Sequence, residues 1–173
     1  PKVAYALYRN GLCSYNQMRA ADRDQAPTRE AAAQFRALLE RFPSSEMAPD
    51  ARVRLAEAEG RLAKQIIEIA DFYYSQHDYH AAARRYRLAL TSYPSHPDRA
   101  RTMVMLGVSL SRLRLHGEAE GTLRRALELG PDEEVRDRAE FELDQLAHLP
   151  LYGPRVLPKS CITDPNPSCP GIE

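Results

Sequence analysis

The sequence predicts an all-α chain built as a stack of helical pairs, and three observations carry that reading. Small and apolar residues recur at the same offsets before Pro94 and before Pro131: Ile66, Ile69, Ala70, Tyr73, Ala82, Tyr86 and Ala89 answer to Met103, Leu106, Gly107, Leu110, Ala119, Leu123 and Ala126. Within each series the steps of three, four and seven put the residues on one helical face. Glycine is scarce and runs of β-branched residues are absent, so no strands are expected. A helix–turn–helix unit of about 34 residues, repeated and closed by proline, is the pattern of the tetratricopeptide repeat. One such pair cannot bury its apolar face alone, so the expected architecture is a right-handed superhelix, an α-solenoid. Its concave face suits other proteins, which points to a scaffold rather than a catalyst.

The elements follow in order. A first helix is predicted near residues 3–19, with Tyr5, Tyr8, Leu12 and Tyr15 as its stripe. Thr28 is suited to cap a second helix near 28–41, whose buried face is Ala31, Phe35 and Leu38. From Gly11 to Ala31 the chain is eight residues longer than from Ala70 to Ala82, so the first pair carries an insertion. The next helical pattern runs unbroken over 49–75 and spans roughly 40 Å at ~1.5 Å per residue. Its first half carries Val53, Leu55, Ala56 and Leu62. Further helices are expected near 80–92, 98–113 and 117–129. A terminal one near 133–147, capped by Asp132, would close the stack with a polar outer side. Small residues at Ala70 with Ala82, and at Gly107 with Ala119, would let paired axes approach, with Tyr86 and Leu123 beside them. Residues 1–148 thus form the repeat domain. Residues 149–173, which hold six of the thirteen prolines, read as a flexible tail.

Twenty-four basic and twenty-four acidic residues cancel, so net charge gives no argument for nucleic acid or an anionic membrane. No apolar run reaches the ~18 residues of a spanning helix. No nucleophile has a base in sequence context, and no phosphate-binding loop is present, so neither an enzyme nor a cofactor is expected. His77, Asp78 and His80 sit at a helix turn without a fourth ligand, and no metal site is assigned. Cys13 reads as a small buried residue. Cys161 and Cys169 are close enough for a small disulfide loop, with two free thiols as the alternative.

The first helix of each pair should line the concave face. Its positions there are Tyr5, Tyr8, Leu12, Tyr15 and Asn16, then Lys64, Ile67, Asp71 and Tyr74, then Arg101, Val104, Val108, Ser111 and Arg112. An aromatic groove flanked by cations suits an extended peptide. The alternative is that the tyrosines pack on the neighbouring unit, and both readings stay open here. Arg101, Arg112 and Arg114 are candidates for docking a partner's carboxylates; Glu118 and Glu120 are their candidate internal partners.

The order Ala4-x-Tyr with Gly11-Leu12, the inserted Asp22-Arg23-Asp24, Phe42-Pro43-x-Ser45, Asp50-Ala51, Arg61-Leu62-Ala63, Ile69-Ala70 with Tyr73-Tyr74, and Tyr93-Pro94 resembles the BamD family. That family is the lipoprotein component of the outer-membrane β-barrel assembly machine. The likeness covers residues 3 to about 130 and matches the last three of its five repeats. It implies a periplasmic, outer-membrane-associated protein, tethered by a lipid on an N-terminal segment outside this sequence. It implies docking on the periplasmic domain of the barrel-forming subunit, contact with other assembly lipoproteins, and recruitment of unfolded outer-membrane proteins. The rival readings are a periplasmic adaptor coordinating cell-wall synthesis with envelope constriction, and the regulatory repeats of an enzyme. The Asp22-Arg23-Asp24 insertion argues against the first, and the proline-rich tail against the second.

Overall fold

The computed structural model describes residues 2–148. The described residues form seven helices and no strand: α1 (Lys2–Tyr15), α2 (Ala26–Arg41), α3 (Ala48–Ser75), α4 (Tyr79–Ser92), α5 (Arg99–Arg112), α6 (His116–Glu128) and α7 (Glu133–Ala147). Helices successive in sequence pack together, and α1 also meets α3 as α5 meets α7. The result is the expected α-solenoid of helical pairs. The proposed Cys161–Cys169 loop and the tail lie outside the described residues.

The pairs cross where small residues were expected. A Cβ built on Gly107 would lie 2.6 Å from Leu123 Cγ, and one on Gly11 would lie 2.7 Å from the Phe35 ring. Ala70, Ala82 and Tyr86 are fully buried at the middle crossing. Phe35, Tyr86 and Leu123 therefore hold the same place in three units, the first displaced by its insertion.

The turns inside the last two pairs are copies. His77 and Arg114, 37 residues apart, both adopt left-handed backbone, at φ 62° and 61°. In each, the next amide bonds back into the preceding helix: Asp78 N to Tyr73 O and Leu115 N to Leu110 O, both at 3.0 Å. The Asp78 carboxylate then caps α4 by accepting from Ala81 N at 3.0 Å. That bond gives Asp78 a structural role at the turn where a metal was considered.

Several local expectations are corrected. Helix α1 stops at Tyr15, not residue 19, because the amides of Gln17 and Met18 turn to the carbonyls three residues back. Thr28 does not cap α2; it is buried inside it and donates to Gln25 Oε1 at 2.8 Å. Gln25, itself 1% exposed, also donates to the carbonyls of Ala20 and Arg23 and so pins the insertion. Cys13 is exposed, since it lies two residues from Gly11 and so points away from α2. Ile69 is 36% exposed and Val53 59% exposed. Ile69 borders a small cleft against Ala21 and Asp22 of the insertion, where no helix covers it. Asp132 does cap α7, accepting from Val135 N at 2.9 Å.

Candidate protein-binding surfaces

The long helix α3 serves two units. Its first half runs beside α1 and the segment that follows it in a constant register: Tyr8 donates to Asp50, Tyr15 to Glu57, and Arg61 donates to the Arg19 carbonyl, each pair 42 residues apart. Arg54 completes the group, 2.5 Å from Asp50 and with its guanidinium over the Tyr15 ring. Both tyrosine rings also meet Phe35, at centroid distances of 6.2 Å. The Arg54 and Tyr8 bonds hold Asp50 below its usual carboxylate range, and the acceptors Asp50 and Glu57 push the two tyrosines up. So Tyr8, Leu12 and Tyr15 pack on neighbouring helices, the alternative left open above, while Tyr5 and Asn16 stay exposed.

Further along, the candidate positions divide. Lys64 is exposed, and among the described residues it forms no ion pair. Ile67, Val104 and Val108 are buried, which corrects their assignment to an open groove. The last two lie in one cluster with Ala139 of α7, so the terminal helix covers them. Tyr74 is half-buried between the second and third units, edge-on to Tyr79. Asp71 accepts from the Tyr86 hydroxyl at 2.5 Å and pairs with Arg101 at 3.3 Å, tying the middle unit to the last. Burial and Asp71 together raise the Tyr86 pKa strongly.

The arginines are also sorted. Glu118 pairs with Arg87 and Glu120 with Arg124, so neither holds the docking candidates. Arg112 lies 3.7 Å from Glu142, a carboxylate only 1% exposed whose second oxygen has no partner. Arg114 stands exposed on its left-handed turn, and among the described residues it makes no ion pair. Arg112, Arg114 and Glu142 border one cavity of about 500 Å³ between α5 and α7. Glu142 was missed by the sequence reading. The signal was there, because it follows Ala139 by three residues and so shares its inward face.

The closing helix is less polar outside than expected. Phe141 is 56% exposed. It stands 37 residues after Val104, at the same repeat position, and is open because no further helix follows to cover it among the described residues.

Residues 1–123 match the family YfiO, described as outer membrane lipoprotein. Similar proteins include the outer membrane protein assembly factor BamD of Vibrio cholerae, 34% identical over 103 residues, which covers 54% of this chain and 43% of that protein. Its namesake from Neisseria gonorrhoeae is 33% identical over 103 residues, 54% of this chain and 39% of the relative. The Caulobacter vibrioides protein of the same name is 31% identical over 90 residues, 52% of this chain and 30% of the relative. The chain thus spans well under half the length of these relatives. No described helix is long and apolar enough to cross a membrane. The family match covers more than two thirds of the chain, and this helical-repeat protein belongs to the outer membrane lipoprotein family YfiO, whose place is the periplasmic side of the outer membrane.

Proposed function

We propose that the chain is a protein-binding scaffold in the assembly of outer-membrane β-barrel proteins. The observation that carries this reading is the family match over residues 1–123, joined by relatives named for outer-membrane protein assembly. The partners on this reading are the periplasmic domain of the barrel-forming subunit, other assembly lipoproteins and unfolded outer-membrane proteins. Its mechanism is positioning by binding energy, with no bond made or broken.

Exposure and ion pairing support a choice among the candidate residues. Tyr5, Asn16 and Lys64 offer free side chains to a peptide, while Tyr8, Leu12, Tyr15 and Tyr74 form the surface behind them. Arg101 and Arg112 are held by Asp71 and Glu142. Arg114 is therefore the docking residue of choice, since a free guanidinium can fork onto a partner's carboxylate. The test is a titration of the purified chain with the periplasmic domain of the barrel-forming subunit from the same organism. Saturable binding that Arg114→Glu weakens about tenfold or more, at an unchanged melting temperature, is expected. No binding to that domain, with cell-wall synthases dominating a co-purification, would overturn the reading.

A further inference from the structure

Overall neutrality hides a segregation of charge. From Tyr79 to Leu115 the chain holds seven arginines and one carboxylate, Asp98; Arg101 and Arg112 are held by Asp71 and Glu142, while Arg84, Arg85 and Arg87 lie together on α4. Helix α4 carries no acidic residue at all. Arg84, Arg87, Leu88 and Thr91 are exposed together on its outer side, with Leu88 at 41%.

That face leads into a cavity of about 430 Å³ between α4, α5 and α6. Arg87, Arg99 and Arg125 border it, and Leu90, Met103 and Leu106 give it apolar walls. The one carboxylate at its edge, Glu118, meets Arg87 at 3.3 Å with both side chains more than half exposed, so water or a ligand can replace the contact. Arg99 Nε is buried without a partner. Gly117 and Gly121 of α6 also border the cavity, and a Cβ on either would meet nothing within 4 Å. Packing therefore does not require these glycines, and their missing side chains leave the cleft open.

We propose that the outer side of α4 is a docking surface for an anionic bilayer, with the cleft between α4 and α6 seating a lipid phosphate. Guanidinium groups fork onto phosphate oxygens, and the apolar walls take the carbon beside the headgroup. Leu88 among arginines suits an interface that is charged outside and apolar beneath. The family's residence at the outer membrane puts such a surface within reach of the molecule. Each arginine held near an anionic leaflet strengthens binding about fivefold. The surface lies on the helices opposite those that carry Tyr5 and Lys64, so the inference stands apart from the peptide-binding reading.

The experiment is co-sedimentation of the 173-residue chain with vesicles of phosphatidylcholine, with and without phosphatidylglycerol. The chain should pellet only with the anionic vesicles and should be released by salt. The double substitution Arg84→Gln with Arg87→Gln should weaken binding about tenfold or more. Gly121→Leu keeps every charge and fills the cleft, and it should weaken binding as well. Arg9→Gln on α1 should bind as the parent does. Melting curves confirm that each variant is folded. Equal binding to neutral vesicles, or arginine variants that bind as the parent does, would overturn the proposal. So would full competition by millimolar inorganic phosphate, which marks a free-anion site. Capture by polyglutamate in place of vesicles would assign the surface to an acidic protein instead. Undiminished binding by Gly121→Leu would remove the cleft as the seat of the phosphate.

Discussion

The first and third helical pairs cross in the same way, yet their inner sides are closed by opposite chemistry. At both crossings a glycine lies against one large side chain, Phe35 or Leu123, that is fully buried. On the inner side of the first pair, however, Tyr8 and Tyr15 reach carboxylates on α3. On the third pair Val104 and Val108 lie in a buried apolar cluster with Ala139 of α7. The crossing is fixed by helix sterics, so its residues answer between units. The inner face is set by whatever helix comes next, so its residues are free to differ. A partner meets only what the next layer leaves uncovered.

The largest effects should come from the crossings. Leucine at Gly107 or at Gly11 must displace a buried side chain, and overpacking of this kind costs ~1–3 kcal/mol. Ala82→Leu acts at the middle crossing in the same way. Alanine at the two glycines sharpens the comparison. The Phe35 ring is fixed between Tyr8 and Tyr15, whereas Leu123 has rotamers to use. Gly11→Ala should therefore cost more than Gly107→Ala in thermal unfolding; the reverse order would mean that the tyrosines do not hold the ring.

Next comes the buried carboxylate of the terminal layer. Arg112→Glu leaves Glu142 facing a second negative charge and should destabilise by ~1–3 kcal/mol. Adding Glu142→Gln should recover most of the loss in a double-mutant cycle, and additive losses would show that the two do not interact.

A smaller effect should depend on pH. His96 is 5% exposed, with neither ring nitrogen bonded, and burial pushes its pKa below the ordinary 6.5. The unfolded chain therefore binds the proton first. The contribution of neutral His96 is fully present above about pH 6.5 and is lost as pH falls from there toward the depressed value. His96→Gln should flatten the melting temperature between pH 7.5 and 5.5 relative to the parent, and an unchanged slope would assign the dependence to other groups.

The smallest effect is at the copied turns. A residue with a side chain costs ~1–2 kcal/mol in left-handed backbone, and glycine removes most of that while adding flexibility to the unfolded chain. His77→Gly and Arg114→Gly should each stabilise by up to about 1 kcal/mol. Gains at one turn and losses at the other would show that the two are not equivalent.

These contrasts also explain what was legible in the sequence. Helix number, the unbroken α3, the crossings and the insertion could all be read, because each is written in local spacing. Side-chain exposure on the inner face could not. Repeat arithmetic puts Tyr15 and Val108 on the same face, but only the helix packed next, α3 for one and α7 for the other, decides what covers each. Thr28 failed as a cap for a related reason, since Gln25 from the insertion takes its hydroxyl. Ion pairing was the least legible, because Arg112 chooses a carboxylate from another layer over Glu118 and Glu120 nearby in sequence.

The most direct measurement is site-specific photo-crosslinking of the purified chain to an unfolded outer-membrane protein. Benzoylphenylalanine would replace Tyr5 or Lys64 on the uncovered inner strip, and Leu88 on the outer face. The account expects adducts from Tyr5 and Lys64 and none from Leu88. Adducts from Leu88 alone would contradict it and move client binding to the opposite side of the stack.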